Sequence, residues 1–480
     1  MPSPVDPIED DAPIAPLANG VDWGSGGVLP AITSQDLKHV DEDGDAVRSR
    51  QLSTSSFAVI DEAGDPNDLK DVGWGVLFGP SISDEIKRAL APLLAHRQAE
   101  AGALYREFTG VRAYRRGESA GEWLTRQKVG FATVNPALGV PLYLLIVASP
   151  QDIPFEFQYL LDTYWNVGRL YFDDGEPAKY DRYARQVVAY DSADTLPHGK
   201  RAAIFSTTNP GDRATAFFHN QVAKPFTLAG NGLPPIGQQQ GFALDALLGE
   251  NATKLQLSEL LGGRRPSGRP ALLLSGSHGV YADPTVPERL DKIGAIVTQE
   301  WEPGTALSAD STFSAKDFTA LGGNEGLVHF FFACYSGGCP DFDTYSRLPD
   351  GSRKRLLDVT MVARLPQAML AGGALGVIAH IDRAFACSFQ NDRSQPQTQD
   401  IRQVLIRIMR GFRLGQALDG FNLRWAVLGA ALSELLRDRE IDATSVSDDL
   451  LASCWLTRDD ARNYVLLGDP AVRLRTDKMT

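Results

Sequence analysis

The sequence predicts an α/β protein built on a mostly parallel sheet. Short apolar runs of strand length alternate with longer stretches of helical spacing, which is typical of parallel strands joined by helical crossovers. Two of the runs, 271–274 and 329–332, end in turns of small residues, and each turn carries one reactive side chain. Active sites of open α/β sheets form at such carboxyl ends of strands.

The first half of the chain predicts an acidic leader followed by an α/β unit. Residues 1–55 are rich in Pro, Gly, Asp and Ser and lack periodicity, which predicts a solvated, flexible segment. Apolar runs predict strands at 74–78, 143–147, 167–170 and 202–205. Helical spacing and capping residues predict a helix that begins at 81–85 and another over 241–261.

The second half of the chain repeats the alternation of strands and helices. Strands are predicted at the two runs named above, at 374–379 and at 464–467, with a helix around 359–370. A long helical region over 401–436 is broken near 411–420. The predicted domains are therefore 1–55, flexible; 56–262, a leading α/β subdomain; and 263–480, a second α/β domain.

Composition excludes several classes of function. The 480 residues carry a net charge of −13, which disfavours binding to nucleic acid or anionic lipid. No apolar run approaches the roughly 20 residues that span a bilayer, and the amino terminus lacks a secretory signal. The four cysteines form neither a disulfide framework nor a zinc knuckle, so we expect a cytoplasmic protein without metal or organic cofactor.

The two reactive side chains are an imidazole and a thiol. His278 follows the run 271–274 in Ser277-His278-Gly279, and Cys334 follows 329–332 in Ala333-Cys334-Tyr335. The interval between them suits one crossover between neighbouring strands. A base or imidazolium beside a thiol stabilises the thiolate, which makes a sulfur nucleophile. Taken singly, each has a plainer interpretation, a turn histidine and a small buried core residue.

These motifs resemble those of the caspase-like cysteine peptidases, including the gingipain, CHAT and caspase families. Those families carry a strand that ends in His-Gly and a later strand that ends in Ala-Cys. The run 143–147 followed by Asp152-Ile153-Pro154 is similar to the first strand and turn of the gingipain leading subdomain, and Gly468-Asp469-Pro470 to the ending shared by gingipain and CHAT sequences. The resemblance implies a caspase-like three-layer sandwich over roughly 140–475, in which the leading subdomain contributes to the substrate pocket.

The resemblance implies a cysteine endopeptidase, and the chemistry of the residues agrees. Cys334 would attack a peptide carbonyl, and His278 would protonate the leaving amine and then activate water. The N–H groups of Gly279 and Cys334 would stabilise the oxyanion. Asp152 is the candidate for orienting His278, with an exposed turn carboxylate as the alternative interpretation.

The resemblance also suggests a substrate pocket. Asp162 occupies the place of the gingipain pocket aspartate, Phe385 is the candidate for the aromatic wall, and Asp382 is a second candidate acid. A carboxylate floor would favour cleavage after Arg or Lys. The basic run 352–355 is either a solvated turn or a site of self-cleavage.

Two other functions stay open at this point. One is a catalytically silent caspase-like scaffold in a signalling or defence assembly. The other is a different Cys–His acyltransferase or hydrolase. The expected partner is a protein or peptide substrate, with no nucleic acid or membrane, and no regulatory partner is identified.

Overall fold

The fold is organised around one sheet of ten strands. The computed structural model describes residues 17–32, 64–131, 134–196, 198–230, 232–390 and 395–479. In chain order the strands are β1 (Trp74–Phe78), β2 (Tyr105–Phe108), β3 (Tyr143–Val147), β4 (Asn166–Leu170), β5 (Arg201–Ser206), β6 (Ala243–Leu248), β7 (Leu272–Gly276), β8 (Val328–Phe332), β9 (Gly376–His380) and β10 (Tyr464–Gly468). Their order across the sheet is β2-β1-β3-β4-β10-β9-β8-β7-β5-β6. The predicted α/β class with a mostly parallel sheet is confirmed.

The sheet consists of two halves joined by the strand β10. Strands β1–β4 form the leading half, strands β5–β9 form the second half, and neighbours within each half are parallel. Strand β10 lies between the halves and pairs antiparallel with β9, with Gly376 opposite Gly468 and His380 opposite Tyr464. Pro150, which follows β3, and Asp382, which follows β9, line one cavity, so the carboxyl ends of both halves lie at the same edge of the sheet.

Helices cover a sheet whose central strands are buried throughout. Strands β3, β7 and β8 are buried at every position, as near-continuous apolar runs in a parallel sheet require. Within the described ranges, no helix has the length and apolar character that crossing a membrane requires. The α-helices are Leu69–Val72, Asp84–Ala89, Ala91–Ala101, Ala120–Arg126, Phe155–Asp162, Pro177–Ser192, Arg213–Phe218, Lys224–Thr227, Lys254–Leu261, Arg289–Lys292, Ala315–Ala320, Arg364–Ala371, Gln399–Met409, Leu414–Ala417, Asp419–Ile441 and Asp448–Arg462.

One predicted helix is wrong. The region 241–261 contains strand β6 and only then the helix Lys254–Leu261. Gly249 separates them because its φ of 55° takes the chain out of the extended conformation. The helix then begins at Thr253, whose side chain accepts a hydrogen bond from the N–H of Gln256. A local run of apolar residues does not reveal this change of direction.

The predicted domain boundary at 262/263 does not divide the sheet. Strands β5 and β6 precede the boundary, yet they lie beside β7 in the second half. Strand β10, near the end of the chain, lies between β4 and β9 and joins the two halves. The second half therefore takes strands from both sides of the predicted boundary.

The predicted flexible leader is wrong for residues 17–32. Gly20–Asp22 forms a strand parallel to Gly279–Tyr281 in a small four-stranded sheet. Ala18, Asn19 and Val21 are buried. Residues 1–16 and 33–55 of the predicted leader lie outside the described residues.

Candidate active site

Parallel pairing of β7 and β8 brings His278 and Cys334 to one edge of the sheet. Gly276 at the end of β7 lies opposite Phe332 at the end of β8, so both chains leave the sheet at the same level. The predicted single crossover between neighbouring strands is confirmed. Both side chains are fully buried in this conformation.

The two turns touch through their backbones at Gly279. A Cβ atom built on this glycine would lie 1.8 Å from the carbonyl oxygen of Cys334. Backbone at that distance cannot move aside as a flexible side chain can. Only glycine therefore allows the histidine turn to approach the cysteine turn so closely.

Two backbone donors converge beside the thiol. The N–H of Gly279 and the N–H of Cys334 both donate to the carbonyl oxygen of Asn19, each at 2.9 Å. Paired N–H groups that aim at one oxygen form the geometry of an oxyanion hole. The sequence predicts these two N–H groups as oxyanion donors, and both bind one peptide carbonyl oxygen.

A carboxylate holds the imidazole from behind. Asp212 Oδ2 accepts a hydrogen bond from His278 Nε2 at 2.8 Å, and backbone N–H groups of Ala214 and Thr215 hold the same carboxylate at 3.2 Å. Burial opposes ionisation, but the bond and charge of His278 hold the pKa of Asp212 below its usual value. Because a carboxylate only accepts, Nε2 carries a proton.

The other ring nitrogen, His278 Nδ1, is left for chemistry. It is buried and has no hydrogen-bond partner within the described part of the chain. The ring also packs edge-to-face with Trp301, with centroids 5.6 Å apart. Asn209, just before Asp212 in the chain, fixes that tryptophan by donating to its carbonyl oxygen at 2.9 Å. The imidazole is therefore oriented on two sides while Nδ1 stays unpaired.

The carboxylate that orients His278 is Asp212 and not the predicted Asp152. The carboxylate of Asp152 instead accepts hydrogen bonds from the backbone N–H of Ser81 at 3.0 Å, its hydroxyl at 2.8 Å and Arg116 at 3.0 Å. Asp152 follows β3, and four strands lie between β3 and β7, the strand that His278 follows. The prediction that Asp152 orients His278 is wrong because the width of those strands separates the two side chains.

A local signal for Asp212 is present in the sequence. Asn209-Pro210-Gly211-Asp212 is a turn directly after the apolar run of β5, and Asp212 is the N-cap of the helix Arg213–Phe218. Strand β5 is the other parallel neighbour of β7. A carboxylate at the end of β5 therefore reaches the histidine that follows β7.

Burial suppresses ionisation of the thiol in this conformation. It raises the pKa of Cys334 to about 12. The backbone N–H of Ala384 donates to Cys334 Sγ at 3.2 Å. The thiolate is the reactive form, so this conformation holds the sulfur in its less reactive, protonated state at neutral pH.

The turn after Cys334 is held in an unusual backbone conformation. Tyr335 has a φ of 57° and Asp382 a φ of 86°, in the left-handed region that non-glycine residues rarely adopt. The N–H of Tyr335 donates to the carbonyl oxygen of Asp382 at 2.7 Å. Such conformations cost free energy and persist where surrounding contacts impose them, most often at functional turns.

A peptide strand of the chain itself crosses the site. We call residues 17–22 the cleft segment. The N–H of Asn19 donates to the carbonyl oxygen of Ala384 at 2.9 Å, and the N–H of Ala386 donates to the carbonyl oxygen of Leu17 at 3.2 Å. Beyond Asn19, the segment pairs with the strand Gly279–Tyr281. Main-chain hydrogen bonds therefore hold it on both sides of the thiol.

The three predicted pocket residues occupy different environments. Phe385 lies against the cleft segment, where it forms an antiparallel bridge with Ala18. Asp382 lines a cavity of about 310 Å³ together with Tyr159 and Arg462, and burial raises its pKa to about 6. Asp162 ends the helix Phe155–Asp162 and accepts a hydrogen bond from the N–H of Val167 at 3.1 Å, while burial raises its pKa well above the usual value.

One group of side chains in the described part of the chain has the spacing of a metal site. It consists of His96, Glu100 and Asp191, away from the cleft. Arg97 forms ion pairs with both Glu100 and Asp191. A guanidinium therefore already supplies the positive charge that a cation would bring.

No protein-family model matches the sequence, and no curated protein matches it. Among solved structures, the fold is similar to that of the Arg-specific cysteine proteinase gingipain R, at 12% identity and a TM-score of 0.48 over 88% of this chain and 81% of that chain. A second structure, of a protease, is similar at 12% identity and a TM-score of 0.48, over 85% of this chain and 80% of that one. Saccharomyces cerevisiae separase, in complex with securin, is similar at 11% identity and a TM-score of 0.31, over 69% of this chain and 16% of that chain. Likeness at this level does not transfer a function, so the geometry of the site has to carry it.

Proposed function

We propose that this chain is a cysteine endopeptidase of caspase-like fold, with Cys334 as nucleophile and His278 as general acid and base. One observation carries the proposal. The N–H groups of Gly279 and Cys334 bind the same peptide carbonyl oxygen, that of Asn19, beside the thiol. A peptide bond thus occupies the position in which a carbonyl would be polarised and attacked.

The chemistry proceeds in two steps. The sulfur of Cys334 attacks the carbonyl carbon, after its proton passes to His278 Nδ1, and the oxyanion is held by the two N–H groups. The carbon–nitrogen bond breaks, the leaving amine takes the proton from His278, and a thioester is left on Cys334. Water, deprotonated by His278, then releases the acid and restores the thiol.

Asp212 acts through His278 rather than on the substrate. Its hydrogen bond fixes the tautomer that leaves Nδ1 unprotonated, and its charge stabilises the imidazolium that forms during each step. Asp212 is therefore a positioning residue. The chemistry needs no metal or organic cofactor, and the free thiols of the four cysteines suit a reducing cytoplasm.

Cleavage after Arg or Lys is not part of the proposal. The carboxyl of Asp162 is committed to its own turn, and burial favours its neutral form. A neutral carboxyl gives a basic side chain no counter-charge. Asp382 lines the separate cavity described above.

The test is cleavage of a fluorogenic peptide panel that carries Arg, Lys, Asn and Ala before the cleaved bond. Wild type is compared with Cys334→Ala, His278→Ala and the control Cys339→Ala, which removes another buried thiol five positions further along. We expect cleavage by wild type and by Cys339→Ala, and a loss of at least about 100-fold in each of the other two variants.

Equal cleavage by wild type and Cys334→Ala would refute the proposed nucleophile. A wild type that neither cleaves any peptide nor reacts at Cys334 with a peptidyl thiol-reactive probe would favour the scaffold. A wild type that transfers acyl groups from thioesters to amines, but leaves every peptide intact, would favour the acyltransferase.

A further inference from the structure

The cleft segment follows the course that a substrate would take through the proposed active site. We propose that the enzyme cleaves its own Asn19–Gly20 bond, and that its primary pocket accepts asparagine. This inference rests on the proposed function, because it uses the same thiol, imidazole and N–H groups. It adds a modification site and a substrate class to them.

Hydrogen bonds fix which peptide bond is presented. On the amino-terminal side of the bond, Asn19 pairs with Ala384, and Leu17 pairs with Ala386. On its carboxyl-terminal side, Gly20 lies opposite Gly279 in a parallel ladder that continues to Asp22. Such addition of an extended peptide to sheet edges is a common mode of peptide recognition. The carbonyl of Asn19 is the one that lies between the two oxyanion donors.

The close packing of Gly20 is a second, independent observation that points to the Asn19–Gly20 bond. A Cβ atom built on Gly20 would lie 2.8 Å from Cys334 Cβ, 2.9 Å from Cys334 Sγ and 2.6 Å from Leu29 Cδ1. Real Cβ atoms do not approach other atoms so closely. The residue after the proposed cleaved bond thus lies directly against the side chain of Cys334. Only glycine fits there without displacing the cleft segment or its neighbours.

The side chain of Asn19 shows what the pocket accepts. It is fully buried, and neither its amide nitrogen nor its amide oxygen has a hydrogen-bond partner among the described residues. The pocket therefore encloses a short uncharged side chain by shape and offers it no carboxylate. An unpaired buried amide also disfavours retention, so it promotes release once the peptide bond is broken.

The reaction balances as a hydrolysis. The sulfur of Cys334 forms a bond to the carbonyl carbon of Asn19, the bond from that carbon to the nitrogen of Gly20 breaks, and His278 Nδ1 gives its proton to the new amine. Water then breaks the thioester, its hydroxyl joins the carbonyl of Asn19, and the remaining proton restores the thiol. The products are residues 1–19 with a new carboxylate and a chain that begins at Gly20.

The two products are held very differently. Residues 20–29 form a hairpin in which Val21 pairs with Val28, and Val21 packs in an apolar cluster with Val280 and Trp301. This part keeps its contacts after cleavage. On the amino-terminal side of the cleaved bond, the described contacts come from Leu17, Ala18 and Asn19 alone. The released fragment is therefore the part that blocks one side of the cleft.

The experiment follows the full-length protein by intact mass and amino-terminal sequencing. We expect wild type to yield a chain that begins at Gly20, and Cys334→Ala and His278→Ala to yield it at least about 100-fold more slowly. The fraction cleaved per hour should not change on tenfold dilution, because bond and nucleophile belong to one chain. Cys339→Ala should behave as wild type.

Two variants test the pocket and the close contact. Asn19→Arg should slow cleavage at least tenfold, because burying a guanidinium without a counter-charge is costly. Gly20→Ala should slow it at least tenfold by displacing the cleft segment. The second Asn–Gly bond of the chain, Asn231–Gly232, is an internal control, since spontaneous asparagine chemistry would affect both bonds.

Each outcome decides something. Cleavage at 19–20 that persists in Cys334→Ala, or equal breakage at 231–232, would overturn the inference in favour of spontaneous chemistry. An intact wild type that cleaves the peptide panel through Cys334 would overturn this inference and leave the proposed function standing. An intact wild type that is also silent on the panel, and unlabelled at Cys334, would overturn both.

Discussion

The contact between Asp212 and His278 gives the sharpest test of the site. Replacing Asp212 by Asn keeps an acceptor oxygen for the helix that begins at Arg213, and asparagine caps helices about as well as aspartate. What it removes is the negative charge 2.8 Å from His278 Nε2. Asp152→Asn is the matched control, because it makes the same change at the carboxylate that the sequence alone suggests.

The magnitude follows from one charge-assisted hydrogen bond. Bonds to charged groups contribute about 1.5–3 kcal/mol, and each 1.36 kcal/mol is a tenfold change in rate, so kcat/KM should fall roughly 10- to 150-fold. In Asp152→Asn the altered ion pair is with Arg116, whose side chain is 68% exposed. Exposed pairs contribute little, and kcat/KM should stay within about twofold of wild type.

The assay is kcat/KM against pH on the best peptide of the panel. In Asp212→Asn, kcat/KM should be lower than in wild type at neutral pH, since the imidazolium that forms during each step has lost its counter-charge. Because folding lowers the pKa of Asp212, its charge stabilises the protein above the ordinary value of 3.8, and that contribution is lost as the pH falls through the lower folded value. The stability difference from wild type should therefore shrink towards pH 3. Equal kcat/KM in Asp212→Asn and wild type, or the larger loss in Asp152→Asn, would refute the assignment.

Three further predictions concern neighbouring parts of the molecule. Gly279→Ala should abolish measurable peptidase activity, because its Cβ would lie 1.8 Å from the carbonyl oxygen of Cys334 and separate the two oxyanion donors. Peptide cleavage and the midpoint of urea unfolding are measured together, and a variant with wild-type activity would contradict the prediction. Arg97→Met should lower the free energy of unfolding by about 3–5 kcal/mol in denaturant titrations, because it leaves the fully buried Asp469 without the guanidinium 2.7 Å away; a loss below about 1 kcal/mol would contradict it. Asp382→Asn should stabilise the protein at pH 7 by about 3 kcal/mol, because burial raises the pKa of this carboxyl from 3.8 to about 6, so its ionisation costs stability as the pH rises through that value. That gain should vanish near pH 4, and a gain that does not depend on pH would show that another cause operates.

Strands are what the sequence predicts best in this fold. The runs 74–78 and 143–147 coincide with β1 and β3, and the run 464–467 lies within β10. Central parallel strands are buried on both faces, so they are written as uninterrupted apolar residues that stand out from their surroundings. The same pattern places His278 and Cys334 at adjacent strand ends, since one crossover joins neighbouring parallel strands.

The order of the strands across the sheet is what the sequence does not show. An apolar run reads the same wherever its strand lies and whichever way it runs, so neither this order nor the antiparallel pairing of β9 with β10 leaves a local trace. The order places four strands between β3, which Asp152 follows, and β7, which His278 follows. The Gly468-Asp469-Pro470 motif is partly explained by the junction at β10. Asp469 binds Arg97 at 2.7 Å and the indole of Trp74 at 2.9 Å, so it ties β10 to the leading half.

The cleft segment links the restraint of the thiol to the proposed cleavage. Gly20 covers the sulfur of Cys334, and burial raises the pKa of that thiol to about 12. The same contact places the carbonyl of Asn19 between the two oxyanion donors, so the peptide that is best placed for attack also keeps the nucleophile protonated. On the proposed mechanism, the first step therefore needs a base inside the closed site, and we assign that role to the buried, unpaired Nδ1 of His278. Once residues 1–19 leave, water reaches the sulfur from their side of the cleft while Gly20 keeps its place, so the burial that raises the pKa of the thiol is reduced on that side. The first turnover should accordingly be slower than later ones. We therefore expect peptide cleavage to show a lag, and we expect this lag to shorten as the chain that begins at Gly20 accumulates.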